Sequence, residues 1–335
     1  MPLPRIRREG GGRNTADKQF ENIDEVFLFV IEEHIAGDPM NENVKWVQLT
    51  RHQISIAMKK FGVRISRNIV KKLLKKHKFI KRKIQRKKAT GQFKDRAKQF
   101  NNIKKVKQNF MKSNNPILSV DTKKKEKLGN LYRNGKVYCT QAIESYDHDY
   151  AHLAEGSIVP HGVYDVKRNE ALINIGMDHE TAKSVCDSIL VWWNKSGKTH
   201  YAKATEILTF FDSGGANSYR HNLFKIELQN LTNKIGLPIR ICHYPPYASK
   251  WNPIEHRVFP HVTRAMSGVK LATINDVKRL IAKTETKTGL KVLVNTTKKI
   301  YKTGIRATKE AIAKINIKTH GELSQLNYTI APVVT

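Results

Sequence analysis

Three acidic residues stand where elements of secondary structure are predicted to begin or end. Asp121 closes the apolar run 116–120, and Asp212 closes the run 207–211. Glu255 follows an Asn-Pro pair, which is typical of the first turn of a helix. Carboxylate oxygens are the ligands that Mg²⁺ prefers, and two such ions about 4 Å apart can promote an in-line displacement at phosphorus. If the fold brings these acids together, they form a two-metal site.

Each acid also has a simpler interpretation. Asp121 can pair with one of the lysines that follow it, and Asp212 can form an Asx-turn in a glycine-rich loop. With Asn252, Glu255 completes a capping-box pattern that holds a helix end without any catalysis. Taken singly, each of these alternatives is sufficient to explain the presence of its acid. The three acids together, behind a basic N-terminal half, favour the metal site.

The elements that must position these acids follow from the pattern after residue 116, where strands and helices alternate. We predict strands at 117–121, 135–139, 162–165, 170–177, 207–211 and 238–242, and helices at 181–193, 219–235, 252–266 and 274–284. This order predicts an α/β fold, a mixed sheet flanked by helices. Ligands of such sheets gather outside the carboxyl ends of the strands, where Asp121 and Asp212 stand.

Charge limits the classes of partner. Lys and Arg total 61 against 29 Asp and Glu, a net charge of +32 over 335 residues, which indicates a polyanionic partner. No apolar run is long enough for a transmembrane helix, and the N-terminus lacks the apolar centre of a secretory signal. Three cysteines without metal-type spacing predict reduced, buried thiols. We therefore expect a cytoplasmic, nucleoid-associated protein without membrane contact.

The N-terminal half predicts a DNA-reading module. Helical patterns over 20–36, from Thr50 and from Ser66, with a glycine turn before the last, are typical of an all-α helix-turn-helix. The third helix would enter a major groove. Its outward side carries the residues predicted to contact DNA: Arg67, Asn68, Lys71, Lys72 and Lys75. The alternative is a generic basic helical bundle whose lysines are merely solvated.

These patterns divide the chain into four predicted parts. Residues 1–19 form a basic arm, which either lies in a minor groove or is a solvated tail. Residues 20–88 form the helix-turn-helix domain, and 89–116 form a helical basic linker. Residues 117–335 form the catalytic domain with a C-terminal extension.

Four blocks of sequence carry a more specific signal. They are SVDTKKKEKLGN (119–130), YDVKRNEALINIGMDHETA (164–182), FDSGGANSYR (211–220) and HYPPYASKWNPIEHRVF (243–259). In this order they resemble the ISAzo-type family of bacterial insertion-sequence transposases, which belong to the DDE superfamily with a ribonuclease H-like core. The resemblance implies that Asp121, Asp212 and Glu255 are the acidic triad. Ser213 departs from the small, glycine-like residue that is common after the second acid.

The resemblance implies a DDE-type transposase that binds terminal inverted repeats, cleaves the strands and joins 3′ ends to target DNA. It would use two Mg²⁺ ions, with Mn²⁺ as an expected substitute, and would act as a homodimer on double-stranded DNA. Further residues expected to steer the phosphate backbone are Lys123, Lys124, Lys125 and Lys250. Two alternatives remain: an inactive DNA-binding regulator derived from a transposase, and a ribonuclease H-like nuclease that cuts without joining.

Overall fold

The structure, a computed structural model, describes residues 15–32, 34–38, 41–82, 91, 93–177 and 179–333. The chain divides into two compact units, Met1–Lys87 and Lys88–Thr335. Most of the predicted basic arm, residues 1–14, lies outside the described residues, as do residues 83–88 at the end of the predicted helix-turn-helix domain. In the described ranges, no helix is long and apolar enough to cross a membrane.

The first unit contains helices and one β-hairpin. Its elements are α1 (Ala16–Gln19), α2 (Ile23–Glu32), β1 (Ile35–Asp38), β2 (Asn41–Val47), α3 (Arg51–Lys60) and α4 (Arg67–Lys76). The three helices predicted from apolar spacing are α2, α3 and α4. Thr50 caps α3 through a reciprocal pair of hydrogen bonds with Gln53. The antiparallel hairpin of β1 and β2 was not predicted from the sequence.

The apolar faces of α2, α3 and α4 form the core of this unit. Phe27, Ile54 and Val70, one from each helix, are fully buried. Asp24 at the start of α2 bonds Lys76 and His77 at the end of α4, and the His77 Nε2–Asp24 Oδ1 distance is 2.7 Å. These polar contacts join the start of α2 to the end of α4, two helices whose apolar faces already pack in the core of the unit.

The second unit begins with a helix and continues as an α/β fold. Its helices are α5 (Arg96–Met111), α6 (Ala182–Trp192), α7 (Lys198–His200), α8 (Asn222–Ile235), α9 (Pro253–Arg257), α10 (Phe259–Ala265), α11 (Ile274–Ala282) and α12 (Lys309–Ala313). Its strands are β3 (Ile117–Thr122), β4 (Glu126–Leu128), β5 (Gly156–Asp165), β6 (Glu170–Gly176), β7 (Ile207–Phe211), β8 (Ile239–His243), β9 (Lys291–Thr296), β10 (Ile317–Thr319) and β11 (Asn327–Ile330).

These strands form one nine-stranded sheet within the described residues. The order is β10-β11-β8-β7-β3-β5-β6-β9, and β4 pairs with β5. Strands β3, β7 and β8 are parallel, whereas β5 is antiparallel to β3 and to β6. The predicted mixed sheet is confirmed, and this central order is the ribonuclease H-like arrangement.

Helices cover both faces of the sheet. On one face α6 and α8 pack over Leu118, Val163 and Leu172. On the other face, α9, α10 and α11 cover β5 and β6, while α5 covers β3, β7 and β8. Gln99 of α5 is fully buried and donates to the carbonyl of His243, at 2.7 Å. The helix predicted as a linker therefore packs within the second unit.

Several predictions of local structure were wrong. Residues 135–139 form no strand, and the short strand after β3 is β4 instead. The predicted helix 252–266 is broken at Val258 into α9 and α10, because Pro260 lacks the N–H that a continuous helix requires. Strands β9, β10 and β11 were missed. Among the cysteines, Cys139 is exposed, whereas Cys186 and Cys242 are buried and free.

Candidate active site

Two of the three acids lie at the carboxyl ends of adjacent strands. Strands β3 and β7 are parallel and paired, with Ser119 opposite Phe210. Asp121 is the penultimate residue of β3, and Asp212 directly follows β7. Because neighbouring parallel strands end at the same edge of a sheet, the two carboxylates share that edge.

Glu255 reaches the same edge from the first turn of α9. The side chain of Asn252, at the N-cap position, makes no capping bond. Instead Ser119 Oγ accepts from the N–H of Ile254 at 2.9 Å and donates to Asn252 Oδ1 at 2.5 Å. Asn252 Nδ2 donates to the carbonyl of Val120 at 3.0 Å. A residue of strand β3 therefore caps α9. The capping box that was the alternative interpretation of Glu255 is not formed.

A glycine on the next strand lets α9 and α10 approach the sheet closely. Gly162 of β5 is the cross-strand partner of Asp121. A Cβ at this position would lie 2.5 Å from Ile254 Cδ1 and 2.8 Å from Phe259 Cε1, so any side chain here would force Ile254 and Phe259 to move. The helix start that carries Glu255 thus occupies the space that a larger residue would fill.

The acids perturb one another. Burial, followed by the charges of Asp212 and Glu255, raises the pKa of Asp121 to about 9. Asp121 and Glu255 also share a side-chain hydrogen bond, which requires a proton on one of the two carboxyl groups. Burial, with charges from Glu180 and Glu255 opposed by local hydrogen bonds, raises the pKa of Asp212 to about 6. Without a cation, the cluster therefore retains protons.

Buried polar groups fix the segment around Asp212. The Asn217 amide, 3% exposed, donates to Asp212 Oδ1 at 3.3 Å and to the carbonyl of Gly214 at 2.7 Å. His243 Nδ1 lies 2.9 Å from the Asp212 carbonyl, and its Nε2 lies 3.0 Å from Tyr328 Oη. A carbonyl only accepts, so Nδ1 carries the proton and donates. Burial lowers the pKa of His243 to about 4, so its ring is neutral at pH 7.

Ser213, the residue that departs from the family pattern, also holds this segment. Its hydroxyl donates to the carbonyl of Tyr244, just after β8. The hydroxyl therefore ties the loop that begins at Asp212 to the neighbouring strand. The departure replaces a glycine-like residue by one whose side chain has a hydrogen-bond partner.

The chemistry of the donor set fits a hard divalent cation. The three carboxylates offer only oxygen ligands, and their mutual repulsion favours a bound positive charge. As the side chains stand, no group of three or more His, Cys, Asp or Glu among the described residues is spaced to hold a metal ion.

The predicted DNA-contacting residues lie in different surroundings. Those on α4 are all exposed: Arg67, Asn68, Lys71, Lys72 and Lys75. Near the acids, Lys124, Lys125 and Lys250 are also exposed. Lys123 differs, because its side chain is 10% exposed and is ion-paired with Glu126, which Arg133 also contacts at 2.8 Å.

The sequence did not single out the residues that hold the acids in place. Ser119 and Asn217 are ordinary small polar residues, and only their burial inside the fold gives them partners. Glu180, in the segment between β6 and α6, also lies close enough to Asp212 to raise its pKa. The one sequence signal for Glu180 was its position directly before Thr181, the N-cap residue of α6.

The strand order, with acids at the ends of β3 and β7 and at the start of α9, matches the class of ribonuclease H-like DDE enzymes. A family model described as the Rhodopirellula transposase DDE domain matches residues 27–332. The chain therefore belongs to this family of transposases. The resemblance seen in the four sequence blocks is confirmed. No curated protein matches the chain.

Solved structures of Mos1 transposase are similar at low identity. A paired-end complex with the left transposon end has a TM-score of 0.43 and 13% identity, covering 82% of this chain and 72% of that one. A mariner paired-end complex with Mn has a TM-score of 0.42 and 12% identity, with 82% and 72% coverage. The corresponding complex with Mg has a TM-score of 0.42 and 12% identity, with 82% and 73% coverage.

Proposed function

We propose that the protein binds the terminal inverted repeats of an insertion sequence and catalyses metal-dependent DNA strand cleavage and strand transfer. The observation that carries the proposal is the convergence of Asp121, Asp212 and Glu255, where burial and then the charges of the other two acids raise the pKa of Asp121 to about 9. Acids that repel one another in a half-buried site lower stability, so their clustering indicates a function that uses them.

Asp121, Asp212 and Glu255 would hold two Mg²⁺ ions, with Mn²⁺ as a substitute. The bound ions supply activation of the attacking oxygen and stabilisation of the leaving oxygen. The chain's own residues orient the ligands: the Ser119–Asn252 pair fixes the start of α9, and Asn217 fixes the Asp212 side chain. No covalent protein–DNA intermediate is required, because water and then a DNA 3′-hydroxyl act as nucleophiles.

Basic side chains would bind the DNA. The exposed residues of α4, including Arg67 and Lys71, are assigned to double-stranded element ends, and Asn68 to a base edge. Lys124, Lys125 and Lys250 are assigned to the phosphate backbone near the acids. Since Lys123 is engaged with Glu126, its assigned contact requires the ion pair to open. Two copies of the chain would hold the two element ends.

A strand-transfer assay tests the proposal. The full-length protein is mixed with labelled duplexes carrying the inverted repeats that flank its gene, target DNA and Mg²⁺. We expect joined product from the wild type and at least an approximately 1,000-fold loss in Asp121→Asn, equivalent to about 4 kcal/mol of transition-state stabilisation. Asp147→Asn is the matched control, because the Asp147 side chain is 91% exposed.

Each outcome separates the alternatives. Joined product at the wild-type level from Asp121→Asn would remove the acid from the mechanism. Cleaved but unjoined ends would favour a nuclease. Binding of the ends without cleavage, in Mg²⁺ and in Mn²⁺, would favour an inactive regulator.

A further inference from the structure

His243, the last residue of β8, is bonded through each of its backbone and ring polar atoms. Its backbone N–H donates to the carbonyl of Leu326 at 2.9 Å, and its own carbonyl accepts from Gln99 Nε2 at 2.7 Å. Its ring nitrogens lie 2.9 Å from the Asp212 carbonyl and 3.0 Å from Tyr328 Oη. One fully buried residue therefore joins α5, the segment after β7 and strand β11.

The bond to Asp212 replaces one that the sheet does not supply. The parallel ladder of β7 and β8 ends with Phe211 opposite His243, so Asp212 lies one residue beyond it. A buried carbonyl past the end of a ladder needs another donor, and the imidazole N–H of His243 supplies it. The position of the Asp212 backbone, and hence of its carboxylate, therefore depends on this side chain.

The Tyr328 hydroxyl supports one tautomer of His243. A carbonyl only accepts, so the bond to Asp212 requires a proton on Nδ1. Burial lowers the pKa of His243 to about 4, so the ring is neutral at pH 7 and Nε2 accepts from the Tyr328 hydroxyl. The result is a directed chain in which Tyr328 donates to His243 and His243 donates to Asp212.

Aromatic rings enclose the imidazole and keep it in this orientation. The ring centroids of Phe211, Tyr219, Phe224 and Tyr328 lie 5.8, 5.9, 6.3 and 5.7 Å from that of His243. All four residues are buried. Such close packing leaves the imidazole little freedom to turn towards another partner. The N–H that reaches Asp212 therefore has a fixed direction.

A second buried network holds β11 from the opposite face of the sheet. Successive side chains of a strand point to opposite faces, so Asn327 points away from its neighbour Tyr328. Asn327 Nδ2 donates to Gln99 Oε1 at 2.7 Å, and Gln99 Nε2 donates to Asn327 Oδ1 at 3.0 Å. Asn102 also donates to Asn327 Oδ1, at 2.6 Å. Helix α5 thus fixes the strand that presents the Tyr328 hydroxyl to His243.

Stability alone would be served by simpler residues. Apolar side chains could fill this aromatic cage without the cost of burying an imidazole and a hydroxyl, and a buried hydrogen bond adds little net stability. What an apolar pair would lack is the bond to the Asp212 carbonyl. That carbonyl belongs to one of the three acids that converge at this edge of the sheet. The polar pair therefore serves the geometry of the acidic cluster.

We propose that His243 and Tyr328 are positioning residues that fix the backbone of Asp212 for cation binding, which makes strand β11 part of the active-site structure. The inference rests on the proposed function, since it concerns the same site. Neither residue contacts a reacting atom. Outer partners that orient metal ligands typically contribute about 10- to 100-fold in metal affinity or activity.

The first experiment measures cation binding without DNA. The melting temperature of the full chain is followed against Mg²⁺ and Mn²⁺ concentration for the wild type and for variants of the two residues. Tyr328→Phe removes only the hydroxyl, and we expect the cation concentration needed for a given rise to increase about 10-fold. His243→Leu removes the donor to Asp212 and should increase it about 100-fold.

His243→Asn tests whether the N–H itself is what matters. The amide nitrogen of asparagine stands as many bonds from the backbone as Nδ1 does, so it can still donate to the Asp212 carbonyl. We expect a cation response nearer to the wild type than that of His243→Leu. A purely structural role predicts the reverse order, because leucine packs against aromatic rings better than asparagine does. That reverse order would overturn the inference.

Tyr164→Phe is the matched control for Tyr328→Phe. Tyr164 is also fully buried, and its hydroxyl donates to Asn169 Oδ1 at 2.9 Å, at the end of β5 away from the acids. This variant should keep the wild-type cation response. A shift equal to that of Tyr328→Phe would show that the loss of any buried tyrosine hydroxyl has this effect, and the inference would fail.

A double-mutant cycle tests whether Tyr328 acts through His243. His243→Asn has no Nε2, so adding Tyr328→Phe to it should weaken the cation response no further. Losses that multiply in the double variant would show that Tyr328 acts independently of His243 and would contradict the directed chain.

The two proposals fail in different ways. A wild-type protein that neither cleaves DNA nor gains thermal stability with cations contradicts the proposed function. An active wild type, with Tyr328→Phe and His243→Leu variants of unchanged cation response, contradicts only the positioning role of these two residues.

Discussion

The two units each concentrate charge of one sign, but they do so in opposite environments. On α4 of the first unit, the basic side chains, such as Arg67 and Lys71, stand exposed in water. In the second unit, Asp121 and Asp212 are half-buried and share one edge of the sheet. Exposed like charges repel weakly because water and salt screen them, whereas buried ones shift their protonation.

This difference indicates what each cluster can bind. A solvated basic face attracts any polyanion over a long range, and its affinity depends on salt. A half-buried acidic cluster selects a small cation that fits between its oxygens and replaces a shared proton. The site at Asp121 is therefore the more sensitive to geometry, and the face of α4 the more sensitive to ionic strength.

Apart from changes to the acids themselves, the largest expected effect comes from the bonds that hold the acidic cluster together. Ser119→Ala removes the cap of α9 and the partner of Asn252, so Glu255 loses its fixed position. We expect strand cleavage to slow about 100-fold, because a small misplacement of a catalytic group can lower the rate by that factor. We also expect a loss of about 1–3 kcal/mol in unfolding free energy. Single-turnover cleavage and urea denaturation measure the two effects.

Ser188→Ala is the matched control for this variant. Ser188 is also fully buried in the second unit, where it accepts from Asn174 at 2.9 Å and donates to the carbonyl of Ser184 at 2.7 Å. It should lose similar stability while cleaving at nearly the wild-type rate under stabilising conditions. Equal cleavage losses in both variants would mean that the Ser119 effect is only one of stability.

A smaller effect is expected from reversing charge on the solvated face. Arg67→Glu with Lys71→Glu should weaken binding of the element end on the order of tenfold or more. It should also reduce the slope of log K against log salt by about 0.9 for each lost phosphate contact. Fluorescence anisotropy between low and moderate salt measures both quantities.

The control for charge reversal changes the net charge equally elsewhere. Lys309→Glu with Lys314→Glu alters two exposed lysines near α12 of the second unit. If this pair weakens binding and flattens the slope as much as the α4 pair, binding follows net charge. The assignment of α4 as the recognition helix would then be lost.

The two units are expected to respond to pH in opposite directions. The bond from Lys76 lowers the pKa of Asp24, so the stability it gives α2 and α4 is present above 3.8 and is lost as the pH falls further. Burial raises the pKa of Asp121 to about 9, so without divalent cations the second unit loses stability as the pH rises from 3.8 towards that value. Hydrogen exchange of α4 and β3, corrected for intrinsic rates, measures both trends.

Two substitutions check these trends separately. Asp24→Asn should flatten the acid response of α4, an effect below about 1 kcal/mol because the pair is near the surface. Asp121→Asn should flatten the alkaline response of β3 in the metal-free protein. Saturating Mg²⁺ should do the same in the wild type, and a β3 response of unchanged size with Mg²⁺ would argue against cation binding at this edge.

The sequence predicted the elements whose pattern is local and strong. Strands β3, β7 and β8 are mainly apolar runs that end at recognisable residues, and α6 begins at the capping residue Thr181. The apolar spacing of α2, α3 and α4 was similarly clear. These elements carry Asp121 and Asp212, so the strand ends were accessible without a structure.

The remaining elements depend on partners that the sequence does not display. Strand β9 is mostly exposed or half-buried and exists through its pairing with β6, and β10 has only three residues. Residues 135–139 have a strand-like composition but no partner strand. Glu180 likewise gains its significance from Asp212, which is distant along the chain and whose pKa the charge of Glu180 helps to raise.

The absence of a side chain at Gly162 has a consequence for how such a protein loses activity. The residue is the cross-strand partner of Asp121, and the space beside it is filled by Ile254 and Phe259. A single added methyl group would require these two side chains, which belong to the α9–α10 corner, to shift. A substitution at this glycine could thus disturb the proposed site while every acidic codon remained intact.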